Sequence, residues 1–222
     1  MIFYYITDRR QFPGTESQRR GRLLEKIAEA ARAGVDYIQL REKDLPAREL
    51  ELLAKDAMRR IHANASGKPA RLLVNSRMDV AIAAGADGVH LRADDVAASE
   101  ARVIFSKAGV DAPVIGVSCH SLAEVRLAES HGADFAVFGP VFEKSGAAGH
   151  GLAALREACG QVAAHGIEAA VAAGQMPVLA LGGVTAEKAA LCLRAGAAGI
   201  AGIRLFQENE VAQTEGRIKA RN

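Results

Sequence analysis

Short apolar runs recur along the chain, and stretches of helix length separate them. Eight runs stand out, at residues 2–6, 36–40, 71–75, 88–91, 113–117, 134–138, 177–181 and 198–202. None alternates apolar with polar residues along its length, which is typical of strands buried on both faces of a parallel sheet. The pattern therefore predicts eight parallel strands that are covered by helices.

The stretches between these runs carry apolar residues at helical spacing, as in residues 50–61. Several of the predicted helices close with a repeated phrase, such as "AGVD", "AGAD" or "HGAD", directly before the next strand. The glycine of each phrase suits the left-handed position that follows a helix. These glycines are Gly34, Gly85, Gly132 and Gly196.

Eight strand–helix units in 222 residues predict a compact (β/α)8 TIM barrel, with residues 1–222 as a single domain. The alternative is an open doubly wound sheet, which needs a glycine-rich GxGxxG turn after the first strand. The segment "TDRRQFPG" at that place does not match such a turn. The polar tail from residue 210 is predicted to form the last helix.

The net charge of +2 is too small to attract nucleic acid or an anionic membrane electrostatically, so we expect neither as a partner. A small anionic substrate then requires a local basic cluster. The cysteines Cys119, Cys159 and Cys192 are widely spaced and are expected to be buried thiols in a reducing compartment. No signal peptide or membrane-length run is visible, which favours the cytoplasm.

The functional groups of a barrel lie at the C-terminal ends of its strands. Gln39 near the end of the second strand, and Arg41 and Lys43 that follow, share one parity, so all three should point into the barrel mouth. An arginine with a lysine suits a diphosphate. In the alternative interpretation, Arg41 and Lys43 are rim charges paired with Glu42 and Asp44.

The third and fourth strands are also followed by polar residues. Asn75 is a candidate ligand or the N-cap of the next helix. Asp94 and Asp95 are candidate Mg²⁺ ligands, because Mg²⁺ binds through one or two carboxylates together with phosphate oxygens. They could equally cap the following helix.

After the fifth strand, His120 is a candidate general acid–base and Ser118 a candidate hydrogen-bonding partner of substrate. His90 lies within an apolar run and is interpreted as a core histidine. Gly182 and Gly183 leave backbone amides bare, and with Arg204 they predict a phosphate site after strands seven and eight.

The glycine-rich segment 139–151 follows the sixth strand. Its position at the active end of the barrel and its glycines favour a mobile lid over the site. On closing, Lys144 would reach a bound diphosphate.

Several ordered motifs resemble the thiamin phosphate synthase family and its close relatives, the TenI-like thiazole tautomerases. They are "YYITD", "GVDYIQLREK", "VNSRMDVAIAAGADGVHL", "VIGVSCHS", "GADFAVFGPVF" and "PVLALGGVT". The resemblance implies a barrel enzyme that joins a hydroxymethylpyrimidine diphosphate to a thiazole phosphate with release of pyrophosphate. Mg²⁺ and basic residues would stabilise the departing diphosphate.

The resemblance also assigns roles by position. Gln39, Arg41, Lys43 and Asn75 would hold the pyrimidine and the diphosphate, and Ser118 would contact either group. Asp95 would bind Mg²⁺. Gly183 and the amides near residues 203–204 would bind the thiazole phosphate.

This chain departs from the synthase pattern at three places. Ser76 stands where the family has a metal-binding Asp, "EKSG" replaces a Thr-x-Thr-Lys segment, and "RADD" replaces "GQ-D". The tautomerases lose the same features and use a histidine at the position of His120. Three functions therefore stay open: a synthase, a metal-independent tautomerase and a barrel that only binds a thiamin-related phosphate. A homo-oligomer is a further expectation, since an apolar barrel surface can pair.

Overall fold

The computed structural model describes residues 1–143, 146, 148–160 and 175–220. Eight parallel strands close into a barrel in sequence order, so the predicted (β/α)8 barrel is confirmed. The strands are β1 (Ile2–Ile6), β2 (Tyr37–Leu40), β3 (Arg71–Asn75), β4 (Gly88–Leu91), β5 (Val114–Cys119), β6 (Phe135–Phe138), β7 (Val178–Ala180) and β8 (Gly199–Gly202). Each lies within two residues of the predicted run.

Helices cover the outside of the barrel, and a short 3₁₀ helix (Arg9–Gln11) follows β1. The α-helices of the described residues are α1 (Glu16–Ala33), α2 (Ala47–Asn64), α3 (Met78–Ala84), α4 (Ala98–Lys107), α5 (Leu122–Ser130), α6 (Gly151–Cys159), α7 (Ala186–Arg194), α8 (Arg204–Gln207) and α9 (Val211–Lys219). The last of these confirms the predicted C-terminal helix. No helix among the described residues is long and apolar enough to cross a membrane.

The strands bury both faces, which explains why their sequences do not alternate. One face packs inside the barrel around Tyr4, Leu73 and Phe135, and the other packs against the helices. Gly116 faces the interior, where an added Cβ would lie 2.5 Å from the Phe135 ring and 2.8 Å from His90. A glycine is therefore required there so that these rings can fill the barrel.

The aspartate of the repeated Gly-x-Asp phrase forms hydrogen bonds to the start of a neighbouring strand at three places around the barrel. Asp134 accepts the Ile115 N–H at 2.7 Å through its side chain and donates its own N–H to the Ile115 carbonyl at 2.9 Å. Asp36 and Asp87 make the same pair of bonds to the residues Phe3 and Leu72. The glycines of these three phrases, Gly34, Gly85 and Gly132, adopt positive φ as predicted, and so does Gly196, which no Asp follows.

The three cysteines confirm the expectation of buried thiols. All are free and buried, and burial raises the pKa of Cys119 and Cys159 to about 12 and that of Cys192 to about 11. Thiols with such pKa values stay protonated near neutral pH and have little nucleophilic character. The cysteines therefore serve packing.

Candidate active site

The C-terminal ends of the strands meet at the barrel mouth, and β2 contributes a buried amide there. Gln39 is paired in register with Ile6 and Leu73 and shares the inward parity of Tyr37. It is 2% exposed, and its side-chain amide makes no hydrogen bond with the described residues. The amide nitrogen and oxygen of Gln39 are not among the fully buried atoms that lack a partner, so the amide reaches the mouth and is available for a ligand.

Arg9 organises the segment that follows β2. It is 3% exposed and lies in the 3₁₀ helix after β1. Its guanidinium donates to both Asp44 oxygens at 2.7 and 2.8 Å, to Glu42 at 3.1 Å and to Glu16 at 2.7 Å. Glu42 and Asp44 are therefore paired with Arg9, and the interpretation of Arg41 and Lys43 as their partners is wrong.

Glu42 is buried and receives further hydrogen bonds. The Thr7 hydroxyl donates to it at 2.6 Å, and the Arg9 backbone N–H lies 3.0 and 3.1 Å from its two oxygens. The Thr7 hydroxyl oxygen in turn accepts the Arg41 N–H at 3.0 Å. The network thus fixes the backbone that carries Arg41 and Lys43.

Burial and hydrogen bonding have opposite effects on the pKa values of the carboxyl groups in this network. Burial raises the pKa of Glu42, while the bonds from Thr7 and Arg9 act in the other direction. Hydrogen bonds from Arg9 lower the pKa of the Asp44 carboxyl to about 2. The Arg9 guanidinium is therefore the counter-charge that favours the ionised form of both carboxylates.

Arg41, Lys43 and Arg92 form a cationic cluster at the mouth. Arg41 is half-buried and Lys43 is exposed, and neither forms an ion pair with a carboxylate among the described residues. The charge of Arg41 is the main cause that lowers the pKa of Lys43, followed by burial and the charge of Arg92. The charges of Arg41 and Arg92 thus both act on Lys43. Arg41 and Lys43 have no carboxylate partner among the described residues, and cations of this kind bind anions.

Asp95 joins the loops that follow β3 and β4. Its Oδ2 accepts the Ser76 hydroxyl at 2.7 Å and the Arg92 N–H at 2.8 Å, and Arg92 Nε lies 3.4 Å from Oδ1. The side chain of Asp94 is 76% exposed and pairs with Arg92 at 3.1 Å. Asp95 is therefore engaged on both oxygens, and Asp94 points largely to solvent.

The N-cap interpretations of these loops are wrong. Helix α3 is preceded by Arg77 and helix α4 by Ala97 at their N-cap positions, so Asn75, Asp94 and Asp95 cap neither helix. The Asn75 side chain instead donates to the Ser76 hydroxyl oxygen at 3.3 Å.

The donor set around Asp95 does not fit Mg²⁺. Ser76 and Arg92 already occupy its oxygens, and the cations Arg41 and Lys43 lie nearby. Within the described ranges, no three His, Cys, Asp or Glu side chains group together as metal ligands. The assignment of Mg²⁺ to Asp94 and Asp95 stays a prediction that this geometry does not favour.

His90 is a buried histidine that links the barrel interior to Ser118. Its Nδ1 lies 3.0 Å from the Tyr4 hydroxyl and its Nε2 lies 2.9 Å from Ser118 Oγ. Burial, with the charge of Arg41, lowers the pKa of His90 to about 3. The ring is therefore neutral, with one donor and one acceptor nitrogen.

The hydrogen bonds assign the tautomer of His90. The Tyr4 hydroxyl is fully buried and finds no other acceptor among the described residues, so it donates to Nδ1. Nε2 then carries the proton and donates to Ser118 Oγ. The hydroxyl proton of Ser118 is left to donate toward a ligand in the mouth.

His120 follows β5, where it was predicted, at the rim of the mouth. Its Nδ1 lies 2.6 Å from the Gly139 carbonyl oxygen, which can only accept, so Nδ1 is the protonated nitrogen. Its backbone N–H donates to Glu124 at 2.6 Å. In the neutral ring, Nε2 is left as a proton acceptor.

A cavity of about 550 Å³ lies at the ends of β7 and β8. Gly182, Gly183, Thr185 and Arg204 contribute to its wall. Gly182 and Gly183 have φ values of 92° and 63°, and an added Cβ on Gly183 would lie 2.7 Å from the Glu143 carbonyl oxygen. Glycine is needed at both positions, and their N–H groups make no hydrogen bond to the described backbone.

The described ends of segment 139–151 are attached to this wall. The N–H groups of Val141 and Phe142 donate to the carbonyls of Leu181 and Gly182 at 2.8 and 3.0 Å. The ammonium group of Lys188 lies 4.8 Å from the centre of the Phe142 ring. Lys144 lies outside the described residues, so its role over the site stays a prediction.

Sequence reasoning missed two arginines that organise the mouth. The signal for Arg9 was its position directly after β1, in "TDRR", but its burial among carboxylates depends on the packing of two loops. Arg92 was visible only as a departure from the family pattern after β4. Gln207 was missed as well. Its side chain binds the Tyr5 hydroxyl at 3.0 Å and the Asp8 carbonyl at 2.8 Å.

The fold and the polar groups gathered at one end of it define a (β/α)8-barrel enzyme. The sequence profile of the thiamine monophosphate synthase family matches residues 3–206. The chain therefore belongs to this family, and it is a transferase like the relatives named thiamine-phosphate synthase.

Individual relatives agree with this assignment. The chain is 39% identical over 218 residues to a putative thiamine-phosphate synthase of Geobacter sulfurreducens, covering 98% of this chain and 90% of the relative. It is 42% identical over 203 residues to a thiamine-phosphate synthase of Methanoculleus marisnigri, covering 89% and 83%. The solved thiamine phosphate pyrophosphorylase of Pyrococcus furiosus matches with a TM-score of 0.75 and 29% identity, covering 99% of this chain and 94% of that one.

Replacing Arg9 with Met tests the buried network. We expect a loss of about 3–5 kcal/mol in the free energy of unfolding, because Glu42 is left buried without its counter-charge. Since the folded-state pKa of Glu42 is raised, the penalty should grow as the pH rises through that pKa. Urea unfolding at several pH values measures it. R9M/E42Q should recover part of the loss and the exposed R10M should change little, whereas equal stability of R9M and R10M would contradict the network.

The ionisation of His90 can be followed by ¹⁵N NMR. With a pKa of about 3, its ring nitrogens should not titrate between pH 5 and pH 8. Nε2 should show the shift of a protonated nitrogen and Nδ1 that of an acceptor. A titration near the ordinary histidine pKa, or the opposite tautomer, would overturn the assignment of Ser118 as a donor to ligand.

Proposed function

We propose that this chain catalyses the reaction of its family, the joining of a hydroxymethylpyrimidine diphosphate to a thiazole phosphate with release of pyrophosphate. One observation supports the proposal most strongly. The cations Arg41 and Lys43 have no carboxylate partner among the described residues, and they follow the buried Gln39 on the same strand end. Arg41 and Lys43 bind the diphosphate, and Gln39 and Asn75 bind the pyrimidine end of the substrate.

The cationic cluster acts on the bond that breaks. The C–O bond between the pyrimidine methylene carbon and the diphosphate breaks, and its electron pair goes to the oxygen. Arg41 and Lys43 stabilise the charge that develops on that leaving group. The methylene cation is then captured by the lone pair of the thiazole nitrogen, so no proton transfer is needed for C–N bond formation.

The second substrate binds on the opposite side of the mouth. The free amides of Gly182 and Gly183 line the cavity of about 550 Å³, and Arg204 adds a positive charge to the same wall. Arg217 lines the same cavity, as do Glu143, Glu187 and Glu208. Backbone N–H groups with guanidinium groups beside them suit a phosphate monoester. Ser118 lies between the two halves and donates its hydroxyl proton to a bound substrate.

A tautomerase is the second candidate, and one observation favours it. The bond from His120 Nδ1 to the Gly139 carbonyl leaves Nε2 as a base at the rim, which is what proton transfer on a thiazole ring requires. In that case neither the pyrimidine diphosphate nor Arg41 and Lys43 would be needed. A homo-oligomer stays a prediction for either activity.

One assay separates these functions. The purified chain is incubated with both synthase substrates, with Mg²⁺ or with a chelator, and thiamin phosphate and pyrophosphate are measured. We expect both products to form. No product in either condition would contradict the synthase, and isomerisation of the thiazole phosphate alone would support the tautomerase.

Two variants assign the activity to its residues. In a synthase, Lys43→Ala should lower kcat by about 10²-fold or more, because it removes a charge from the leaving-group site, while His120→Ala should have a much smaller effect. In a tautomerase the order is reversed. Lys55→Ala on the outer face of α2 is the control for loss of a lysine.

A further inference from the structure

We infer that Arg92 takes the place of a divalent metal at the leaving diphosphate, so that this chain forms its product without Mg²⁺. The inference rests on the proposed function, because it concerns how the same site stabilises the same leaving group. Arg92 then belongs to the catalytic residues, and Mg²⁺ is not required as a cofactor.

The loops after β3 and β4 lack part of the metal-binding set that the resemblance implies. Where the family resemblance expects a metal-binding carboxylate, Ser76 has a hydroxyl that donates to Asp95 at 2.7 Å. Ser76 adopts a φ of 56°, a left-handed conformation that is uncommon for a residue other than glycine. At position 76 the chain therefore lacks one of the two carboxylates that the resemblance implies for a metal, and the hydroxyl there is bonded to Asp95.

The Arg92 guanidinium lies against both aspartates of the loop after β4. It contacts Asp95 at 3.4 Å and Asp94 at 3.1 Å, so it lies against the carboxylate that the family pattern assigns to the metal. Its charge also acts on Lys43. The guanidinium that contacts Asp95, and whose charge acts on Lys43, is therefore placed to replace a metal at this carboxylate.

The surrounding charges favour the Arg92 guanidinium over a divalent metal ion at Asp95. A divalent ion at Asp95 would have to displace Arg92 while meeting repulsion from Arg41 and Lys43. A guanidinium needs no such exchange, because it presents several N–H donors and can bind the carboxylate and a phosphate oxygen together. The same aspartate therefore orients Arg92 instead of binding a metal.

The test uses the complete chain and two readouts. The first is product formation after exhaustive treatment with a chelator, compared with added Mg²⁺. The second is binding of inorganic pyrophosphate by calorimetry in metal-free buffer, which does not depend on turnover. We expect wild-type turnover to survive the chelator and pyrophosphate to bind without metal.

Arg92→Ala should weaken metal-free pyrophosphate binding about tenfold or more, the effect of losing one charge-assisted hydrogen bond. Arg92→Lys should retain part of it. Arg59→Ala is the matched control, since Arg59 is an exposed arginine paired with Asp56 on α2 and should bind as wild type does. Circular dichroism checks that each variant is folded.

The double variant S76D/R92A reverses the replacement. It supplies a second carboxylate and removes the competing cation, so its activity should become dependent on added Mg²⁺. Loss of wild-type turnover in chelator with recovery in Mg²⁺, or unchanged pyrophosphate binding by R92A, would overturn the inference. Absence of product in every buffer would instead contradict the proposed function, and the binding readout would still decide the role of Arg92.

Discussion

The burial of Arg9 among three carboxylates is the interaction on which the active end of this barrel depends. Arg9 binds Glu16, Glu42 and Asp44 at once. Breaking such a buried pair is costly, because it leaves a charge without a partner in a medium of low polarity. The consequence for function is indirect. With Glu42 and Asp44 taken, the neighbouring cations Arg41 and Lys43 have no local carboxylate and face the mouth unpaired.

The mouth then divides into two halves with different chemistry. The half formed after β2, β3 and β4 is built from charged side chains whose geometry is fixed by hydrogen bonds to Asp95 and Thr7. The half formed after β7 and β8 relies on backbone amides, exposed by Gly182 and Gly183. Ser118 stands between them, and its hydroxyl is oriented from below by Tyr4 and His90. A diphosphate carries more negative charge than a phosphate monoester. The half with charged side chains therefore suits the diphosphate, and the half with backbone amides suits the monoester.

The fold was predictable because its signals are local and repeated. Buried parallel strands lack alternation, and each Gly-x-Asp phrase marks the end of a helix, so the eight strands were found within two residues. The inward direction of Gln39 also followed from strand parity alone. Helix capping was the weak point. Asn75, Asp94 and Asp95 looked like caps, but the loops run two or three residues further, and Arg77 and Ala97 stand at the N-cap positions instead.

The partners of charged side chains could not be predicted in the same way. Sequence neighbours made Glu42 and Asp44 natural partners for Arg41 and Lys43, yet Arg9, more than thirty residues away, binds both. Likewise the contact between Arg92 and Asp95 depends on how one loop turns back on itself. Ion pairs form between groups that the fold brings together, and parity or spacing along one strand does not determine them.

A crystal structure of the protein with inorganic pyrophosphate tests the central claim most directly. The account predicts that pyrophosphate oxygens contact Arg41 and Lys43 while Arg9 keeps its bonds to Glu42 and Asp44. Pyrophosphate bound only at Gly182 and Gly183, with Arg41 and Lys43 turned toward Glu42 and Asp44, would contradict it.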